Sequence, residues 1–452
     1  MASAAEQMAA NLSWATLGKA TELRQRIFFT IGLLIVYRIG TYIPVPGIDG
    51  TALREFMDSA SSGLGGIFNM FTGGAISRMG IFALGIMPYI SASIIVQLMT
   101  SMVPQLEALK KEGEQGRKKI NQYTRYGTVV LALFQAYGLA ASLEAGNLAH
   151  DPGFTFRAAC IITLLGGTMF LMWLGEQITA RGIGNGISLI IFVGIVAEIP
   201  QALAQFLASG RSGTVSPGVI IAVIFIVIAV MAFVVFMERA LRKIHIQYPR
   251  RQVGMKVYDG GTSHLPVKVN PAGVIPAIFA SSLLLLPTTI STFSGGATGP
   301  IMSTILAYFG PGKPLYLLFF ASMIVFFTYF YTANVAFKSE DVADNLKNQN
   351  GFIPGIRPGA KTVDYLDYVV ARLLVVGSAY LAAVCLLPEI LRSQFAIPFY
   401  FGGTSVLIVV SVTMDTINQV QSHLLAHQYE GLIEKSQLRG KKRGASKGTV
   451  RR

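Results

Sequence analysis

Charged residues are scarce in this sequence. Asp, Glu, Lys and Arg make up 13% of its 452 residues, whereas a soluble domain carries about 25%. Hydrophobic residues, in contrast, make up 52% of the chain. This composition excludes an ordinary soluble domain and predicts a polytopic membrane protein.

Cysteine and histidine are scarce as well. The two cysteines, Cys160 and Cys385, both lie in apolar stretches, which excludes a disulfide framework and a cysteine-type metal site. His423 and His427 stand four residues apart but lack the glutamate of an HExxH zinc motif. We therefore expect no metal site.

Nucleotide-binding motifs are missing too. The chain contains no GxxxxGKS or GxxxxGKT sequence, so ATP hydrolysis on a P-loop is excluded. The glycine-rich stretch Gly182, Gly184, Gly186 follows a predicted membrane helix instead of a strand, which argues against a dinucleotide site. We expect no cofactor and no enzymatic activity of the chain's own.

Ten apolar segments are present, each about long enough to cross a membrane as a helix, which takes roughly 20 residues. They run about 27–43, 81–102, 126–143, 156–174, 187–207, 218–237, 272–290, 315–335, 369–387 and 400–416. No small-residue cleavage site follows the first segment, so we expect a retained helix and not a removed signal peptide. The predicted fold is all-α with ten transmembrane helices.

Basic residues are concentrated in one of the two alternating sets of loops. That set contains clusters at 110–119, 239–268 and 338–361, and the tail 421–452 is basic as well. Because loops rich in Lys and Arg remain in the cytoplasm, we expect both termini on the cytoplasmic side of the membrane. The surplus within the +14 formal charge predicts an acidic partner or anionic lipids.

A short motif occurs twice, near the start of the second and of the seventh segment. Identical residues fall at matching offsets, namely Gly85, Pro88, Ile90, Ala92 and Ser93 in one copy and Gly273, Pro276, Ile278, Ala280 and Ser281 in the other. Halves of five spans each have opposite orientations. We therefore expect two inverted halves, 1–210 and 211–420, with the functional site at their interface, followed by the tail 421–452.

The stretch before the second segment is short and is broken by Gly73 and Gly74. It cannot cross a membrane as one helix. We predict a half-helix at about 64–78.

Isoleucines recur every four residues in two segments. They are Ile86, Ile90 and Ile94 in the second, and Ile187 and Ile191 in the fifth. This spacing puts each set on one helix face. Such a stripe is usually lipid contact or helix packing, but the half-helix and the repeated motif favour a functional role here.

Two expected cytoplasmic loops, about 239–271 and 336–368, are too elaborate to be simple connectors. In the first, residues 259–261 (Asp-Gly-Gly) lie between alternating residues and predict the turn of a β-hairpin. In the second, two Pro-Gly turns at 354–359 hold Arg357 at a stiff loop tip. Most loop arginines are ordinary cytoplasmic charge, but rigid presentation lowers the entropy lost on binding and favours a docking contact for Arg357.

Five stretches carry a resemblance to a known family. They are GIMPYISASII at 85–95, WLGEQITARGIGNGISLIIF at 173–192, HLPVKVNPAGVIPAIFAS at 264–281, PGIRPG at 354–359 and PFYFGGTS at 398–405. Together they resemble the SecY/Sec61-alpha family, the central pore subunits of Sec protein-translocation channels. The resemblance covers about 23–429 and implies a channel that passes unfolded preproteins across the membrane and releases apolar helices sideways into lipid.

The resemblance also implies roles for individual residues. The pore ring of the family matches Ile86, Ile90, Ile187, Ile191, Ile278 and Ile408. Its plug matches the half-helix, with Leu64, Ile67, Phe68, Asn69, Met70, Phe71, Gly73 and Gly74. Its lateral gate, formed by spans two and seven with three and eight, matches Ser91, Gln97, Pro276 and Phe279. Its platform for a motor or a ribosome matches Arg250, Arg251, Lys256, Arg357 and Tyr429.

The partners implied are small subunits of the SecE and SecG types, a SecA-type motor ATPase, the ribosome, preproteins with their signal sequences, and anionic lipids. An inverted-repeat secondary transporter of a small solute is the alternative function. A transporter predicts ionisable groups in mid-span, whereas Arg38, Glu176, Glu198 and Asp415 lie near span ends. The sequence therefore favours the channel.

Overall fold

The computed structural model describes residues 21–50, 53, 69, 72–213, 216–249, 251–253, 256–258, 261–293, 313–395 and 403–446. The N-terminal half contains six helices: α1 Thr21–Gly40, α2 Met87–Met102, α3 Pro104–Lys111, α4 Glu114–Ala145, α5 Phe154–Arg181 and α6 Gly186–Arg211. All structural statements below refer to these described residues.

The C-terminal half begins with α7 Pro217–Arg239, which is followed by four strands. The strands are β1 Leu241–Gln247, β2 Arg251–Val253, β3 Lys256–Tyr258 and β4 Thr262–Lys268. The helices α8 Ile275–Phe293, α9 Pro314–Tyr331, α10 Ser339–Asn348, α11 Ala360–Phe395 and α12 Gly403–Ser446 follow, and a π-helical turn, Thr332–Ala336, continues α9.

The helices agree with the predicted spans. Each of the ten apolar segments overlaps one helix, namely α1, α2, α4 to α9, α11 or α12. By length and composition, six helices in the described part of the chain could cross a membrane, or seven if the bent pair α2–α3 is one span. The chain is thus a multi-pass membrane protein, while the count of ten crossings stays a prediction.

The second span differs from its prediction at both ends. Helix α2 begins at Met87 and not at Ile81, because residues 72–86 form consecutive turns. At the other end Val103 is extended, with φ −102° and ψ 114°, as is favoured before a proline. Pro104 then starts α3 at an angle of 97° to α2.

The strands form one long hairpin, and the prediction of its turn was wrong. Leu241 pairs with Lys268, and Arg251 pairs with Tyr258 in the same register. The chain therefore reverses between Val253 and Lys256, and not at 259–261. The β1–β4 ladder sets this register, since it buries Ile244 and Val267 in a cluster with α10 and α11, and a slip of one residue would expose them.

The main apolar cluster lies between the two halves. Members that are at most 1% exposed include Leu174 of α5, Ile195 of α6, Ile324 of α9, Leu381 of α11 and Leu407 of α12. In contrast, only Val223 and Val234 are buried on α7, whose other apolar side chains we expect to face lipid. The core thus joins helices that are more than 200 residues apart in the sequence.

Candidate pore and lateral gate

The six predicted ring isoleucines meet in the main apolar cluster. Ile86, Ile90, Ile191 and Ile408 are at most 8% exposed, while Ile187 and Ile278 are half-buried and pack against the same cluster. Five of them lie in four helices, α2, α6, α8 and α12, and Ile86 is the N-cap residue of α2. Their four-residue spacing puts the members from one helix on one face, and helix packing brings the four faces together.

The glycine-rich stretch before α6 sets the position of Ile187 and Ile191. The side-chain oxygen of Asn185 accepts hydrogen bonds from the backbone N–H groups of Ile187 (3.1 Å) and Ser188 (3.4 Å), which caps the helix. A Cβ on Gly186 would overlap the carbonyl of Gly175 in α5. The glycines therefore permit a close turn from α5 into α6.

A polar cavity of about 680 Å³ adjoins the cluster. Both halves line it, and its polar groups include Asn185, Glu238, Lys268, Asn270, Asp415 and Gln419. Along α12, Ile408 in the cluster is followed by Val412, Asp415 and Gln419 at the cavity. Over this distance of about 16 Å, at 1.5 Å per residue, the environment changes from apolar to polar.

Three hydrogen bonds involve side chains that line this cavity. The Asn270 amide donates to Glu238 Oε1 at 3.2 Å and to the Gly273 carbonyl at 3.0 Å. Gln419 Oε1 accepts from the backbone N–H of Gly184 at 2.8 Å and links α12 to the α5–α6 turn. Sequence reasoning missed Asn270 and Gln419, although Asn270 stands three residues before the second motif copy.

The predicted gate helices touch each other. Helix α2 contacts α8, and both contact α4. On α8, Pro276 is buried, and the Phe279 ring lies edge-on to Phe327 (5.7 Å) and Tyr331 (6.0 Å) of α9. This aromatic packing joins α8 to α9.

The polar residues of the gate lie on α2. Ser91 is half-buried. The Gln97 amide nitrogen donates to the Ser93 hydroxyl at 3.3 Å, but Gln97 Oε1 is buried and has no hydrogen-bond partner among the described residues. An unpaired buried oxygen is costly, so the packing around Gln97 is strained in this state.

The predicted plug lies mostly outside the described residues, as Leu64, Ile67, Phe68, Met70 and Phe71 do. Asn69 accepts a hydrogen bond from the backbone N–H of Ser77 at 2.9 Å. Gly73 and Gly74 have φ of +65° and +79°, a region that a right-handed helix does not use. The predicted half-helix therefore does not extend to residue 78, because residues 72–78 are turns.

The predicted docking residues lie on two connected elements. Arg357 is exposed, and its carbonyl accepts from the Thr362 hydroxyl at 3.0 Å. Gly355 and Gly359 beside it have φ of +82° and +103°, so the two turns require glycine. The double hydrogen bond between Gln247 of β1 and Phe352 (2.9 and 3.0 Å) ties this loop to the hairpin.

The other docking residues are on the hairpin and the last helix. Arg251 and Lys256 lie in β2 and β3, next to the reversal of the hairpin, and Tyr429 lies in α12. Arg250 is outside the described residues. The Gln247–Phe352 link, which sequence reasoning missed, makes the hairpin and the Arg357 loop one surface.

Comparisons with known proteins agree with one another. The family model described as SecY matches residues 80–417. The protein translocase subunit SecY of Escherichia coli strain K12 is 53% identical over 428 residues, covering 94% of this chain and 96% of the relative. The Pseudomonas aeruginosa subunit of the same name is 52% identical over 430 residues, covering 95% and 97%.

Solved structures show the same fold. A structure described as a protein conducting channel has a TM-score of 0.63 at 20% identity and covers 88% of this chain and 92% of its own. Sec61 in the canine ribosome–channel complex from the endoplasmic reticulum has a TM-score of 0.61 at 20% identity, with the same two coverages. The predicted polytopic helical fold is thereby confirmed.

Proposed function

The chain belongs to the SecY family, and we propose that it passes unfolded preproteins across the inner membrane and releases apolar helices sideways into lipid. It is a protein-conducting channel and not an enzyme, as its relatives' names and their match over most of the chain indicate. One observation supports the proposed path. The six isoleucines from both halves belong to, or pack against, one buried apolar cluster that adjoins a polar cavity.

The chemistry of isoleucine suits a seal for such a channel. Its β-branched side chain is stiff at χ1, so a ring of six gives a constriction of defined width. Isoleucine offers no hydrogen bonds to a passing chain, and a narrow apolar ring excludes water and ions by dewetting. The polar cavity next to the ring would keep an arriving polypeptide hydrated before it passes.

Sideways release requires that two helices part. Helices α2 and α8 carry the two copies of the motif and contact each other across the halves. Both also carry ring residues, Ile90 and Ile278. Their separation would therefore open the ring and the wall of the channel together, which is the proposed role of Ser91, Gln97, Pro276 and Phe279.

The energy has to come from a partner. We propose that a SecA-type motor or a ribosome docks on the surface formed by the hairpin and the Arg357 loop, with small subunits of the SecE and SecG types beside the channel. The ribosome is supported by structural neighbours, Sec61 and Ssh1, that are described in complexes with ribosomes. Basic loops on one side favour cytoplasmic termini and contact with anionic lipids. A transporter function finds no support among the relatives.

The decisive experiment is conductance of the closed channel in planar bilayers. We expect the combined change Ile86→Ser and Ile191→Ser to give a stably inserted protein with raised resting ion conductance, because hydroxyl groups wet the constriction. The matched control is Ile221→Ser with Ile228→Ser on α7, two exposed positions, which should leave conductance unchanged.

The same measurement is repeated in a variant that lacks the predicted plug. The same pair is tested with residues 64–72 deleted, so that a plug cannot mask an open ring. If the isoleucines are only packed core, the change should mainly lower stability, by roughly 2–5 kcal/mol for large-to-small substitution. Unchanged conductance in both backgrounds at normal protein levels would refute the seal.

A further inference from the structure

Three ionisable side chains that the channel function does not use converge beside the main cluster. They are Arg38 in the last turn of α1, Arg78 in the turn segment 72–86, and Glu198 in α6. Glu198 is ten residues beyond Ser188, which lines the polar cavity, and is therefore about 15 Å farther along α6. Ionisable residues in or near membrane segments are rare and usually pair with one another, so the convergence of these three calls for an explanation.

The two arginines contact the Tyr42 ring, and Arg38 also binds the carbonyl of Gly73 in the turn segment. Arg38 Nη1 donates to the Gly73 carbonyl at 2.8 Å, and Arg38 Nη2 donates to the Tyr42 hydroxyl at 3.3 Å. The Tyr42 ring also lies 4.3 Å from the Arg78 guanidinium carbon and 5.4 Å from that of Arg38. Both are within the range of a cation–π interaction.

Glu198 supplies the opposite charge. A Cβ on Gly74 would overlap Glu198 Oε1 and would lie 3.2 Å from Arg78 Nη1, so the carboxylate and the guanidinium face the same glycine. Arg78 Nη1 is buried and has no hydrogen-bond partner in the described part of the chain, and the Glu198 carboxylate is the negative charge that lies across Gly74 from it.

The segment that these residues hold leads directly into the ring. The backbone N–H of Ile81 donates to the Ile43 carbonyl at 2.9 Å, and that of Val45 donates to the Met79 carbonyl at 2.8 Å. The segment ends at Ile86, the residue that caps α2. A shift of the segment would therefore move Ile86 and Ile90.

We propose that Arg38, Arg78 and Glu198 form a polar tie that positions the ring. The tie fastens segment 72–86 to α1 and α6 and so keeps Ile86 and Ile90 of α2 against Ile187 and Ile191 of α6. Loss of the carboxylate leaves two guanidinium groups beside the same Tyr42 ring without the negative charge across Gly74, and like charges repel each other. This inference rests on the proposed function of the isoleucines as a seal.

The test compares Glu198→Gln with Glu144→Gln in the reconstituted full-length protein. Glu144 pairs with Arg157 outside the tie, so its change is a matched loss of one carboxylate. We expect Glu198→Gln to raise resting conductance several-fold at unchanged protein level, and Glu144→Gln to leave it at the wild-type value. Glu198→Asp, which keeps the charge, should restore most of the seal.

Ile86→Ser with Ile191→Ser is measured in the same preparation as a positive control. If that control leaks and Glu198→Gln does not, the tie is refuted while the seal stands. If neither leaks, both are refuted. Should Glu198→Gln fail to fold, Arg78→Lys decides the matter, since it keeps the charge but loses the planar group that covers Tyr42: raised conductance supports the tie, and wild-type conductance overturns it.

Discussion

The two copies of the repeated motif have the same local geometry in different surroundings. Gly85 and Gly273 have φ of +57° and +62°. The Ile90 N–H donates to the Ile86 carbonyl at 3.1 Å, and at the matching offset the Ile278 N–H donates to the Val274 carbonyl at 3.2 Å. The first turn of each helix is thus built in the same way.

The packing around the two copies differs. A Cβ on Gly85 would lie 2.9 Å from the Thr72 methyl, whereas a Cβ on Gly273 would meet nothing within 4 Å. Gly273 lines the polar cavity, and Gly85 is enclosed by the turn segment. The same motif can therefore begin a tightly packed helix in one half of the molecule and a helix that borders a cavity in the other.

The largest loss of stability is expected from Gly85→Ala and Gly273→Ala, which together distinguish the cost of backbone strain from the cost of tight packing. In both variants alanine has to adopt a left-handed conformation, which costs roughly 1–2 kcal/mol. Gly85→Ala also pushes into Thr72, and overpacking adds about 1–3 kcal/mol. We expect Gly85→Ala to lower the unfolding temperature in detergent clearly more than Gly273→Ala.

Thr72→Ser provides the control for that difference, because it removes the methyl group that a Cβ at position 85 would meet. The double change Gly85→Ala with Thr72→Ser should recover the excess loss and match Gly273→Ala. Equal unfolding temperatures for the two single variants would show that the surroundings of the copies do not matter.

A smaller effect on stability than that of the glycine variants is expected at Gln97, a polar residue that follows the first copy of the motif on α2. At the offset that relates the copies, Gln97 of α2 corresponds to Leu285 of α8. Gln97→Leu removes a buried oxygen without a partner, so the free energy of unfolding should rise by about 1 kcal/mol. Because the change favours closed packing, insertion of apolar helices should slow relative to export of soluble chains.

Met99→Leu, at a position 46% exposed on the same helix, is the control and should change neither stability nor insertion. Faster insertion by Gln97→Leu, or a lower free energy of unfolding, would contradict the interpretation of Gln97 as a strained gate residue.

The smallest effect on the fold is expected outside both copies, at the exposed Arg357. Arg357→Glu reverses a charge at a loop whose turns depend on Gly355 and Gly359. The free energy of unfolding should therefore stay within about 0.5 kcal/mol of the wild type. Motor-driven transport should nevertheless fall sharply in a vesicle import assay. Normal transport would contradict a docking role for Arg357 and would indicate that it only adds to the positive charge of the cytoplasmic loops.

Local patterns predicted the helices well and the breaks between them less well. The ten apolar segments each became a helix, and Asn185 and Pro104 act where cap and breaker residues are expected to act. The turn at 259–261 was misplaced, because Asp-Gly-Gly is a strong local turn signal and the register was decided by the buried Ile244 and Val267.

The sequence by itself determined the membrane class, the helical segments, the four-residue spacing of the isoleucines and the geometry of the two motif copies. These depend on hydropathy and on backbone preferences that act over a few residues. Only the tertiary structure decided that six isoleucines in or next to four helices share one cluster. It also decided that Arg38 reaches Gly73, that Arg78 reaches Tyr42, and that Glu198 faces Gly74. These contacts join residues 35 to more than 300 positions apart, and the packing of whole helices selects them, since no local preference acts over that distance.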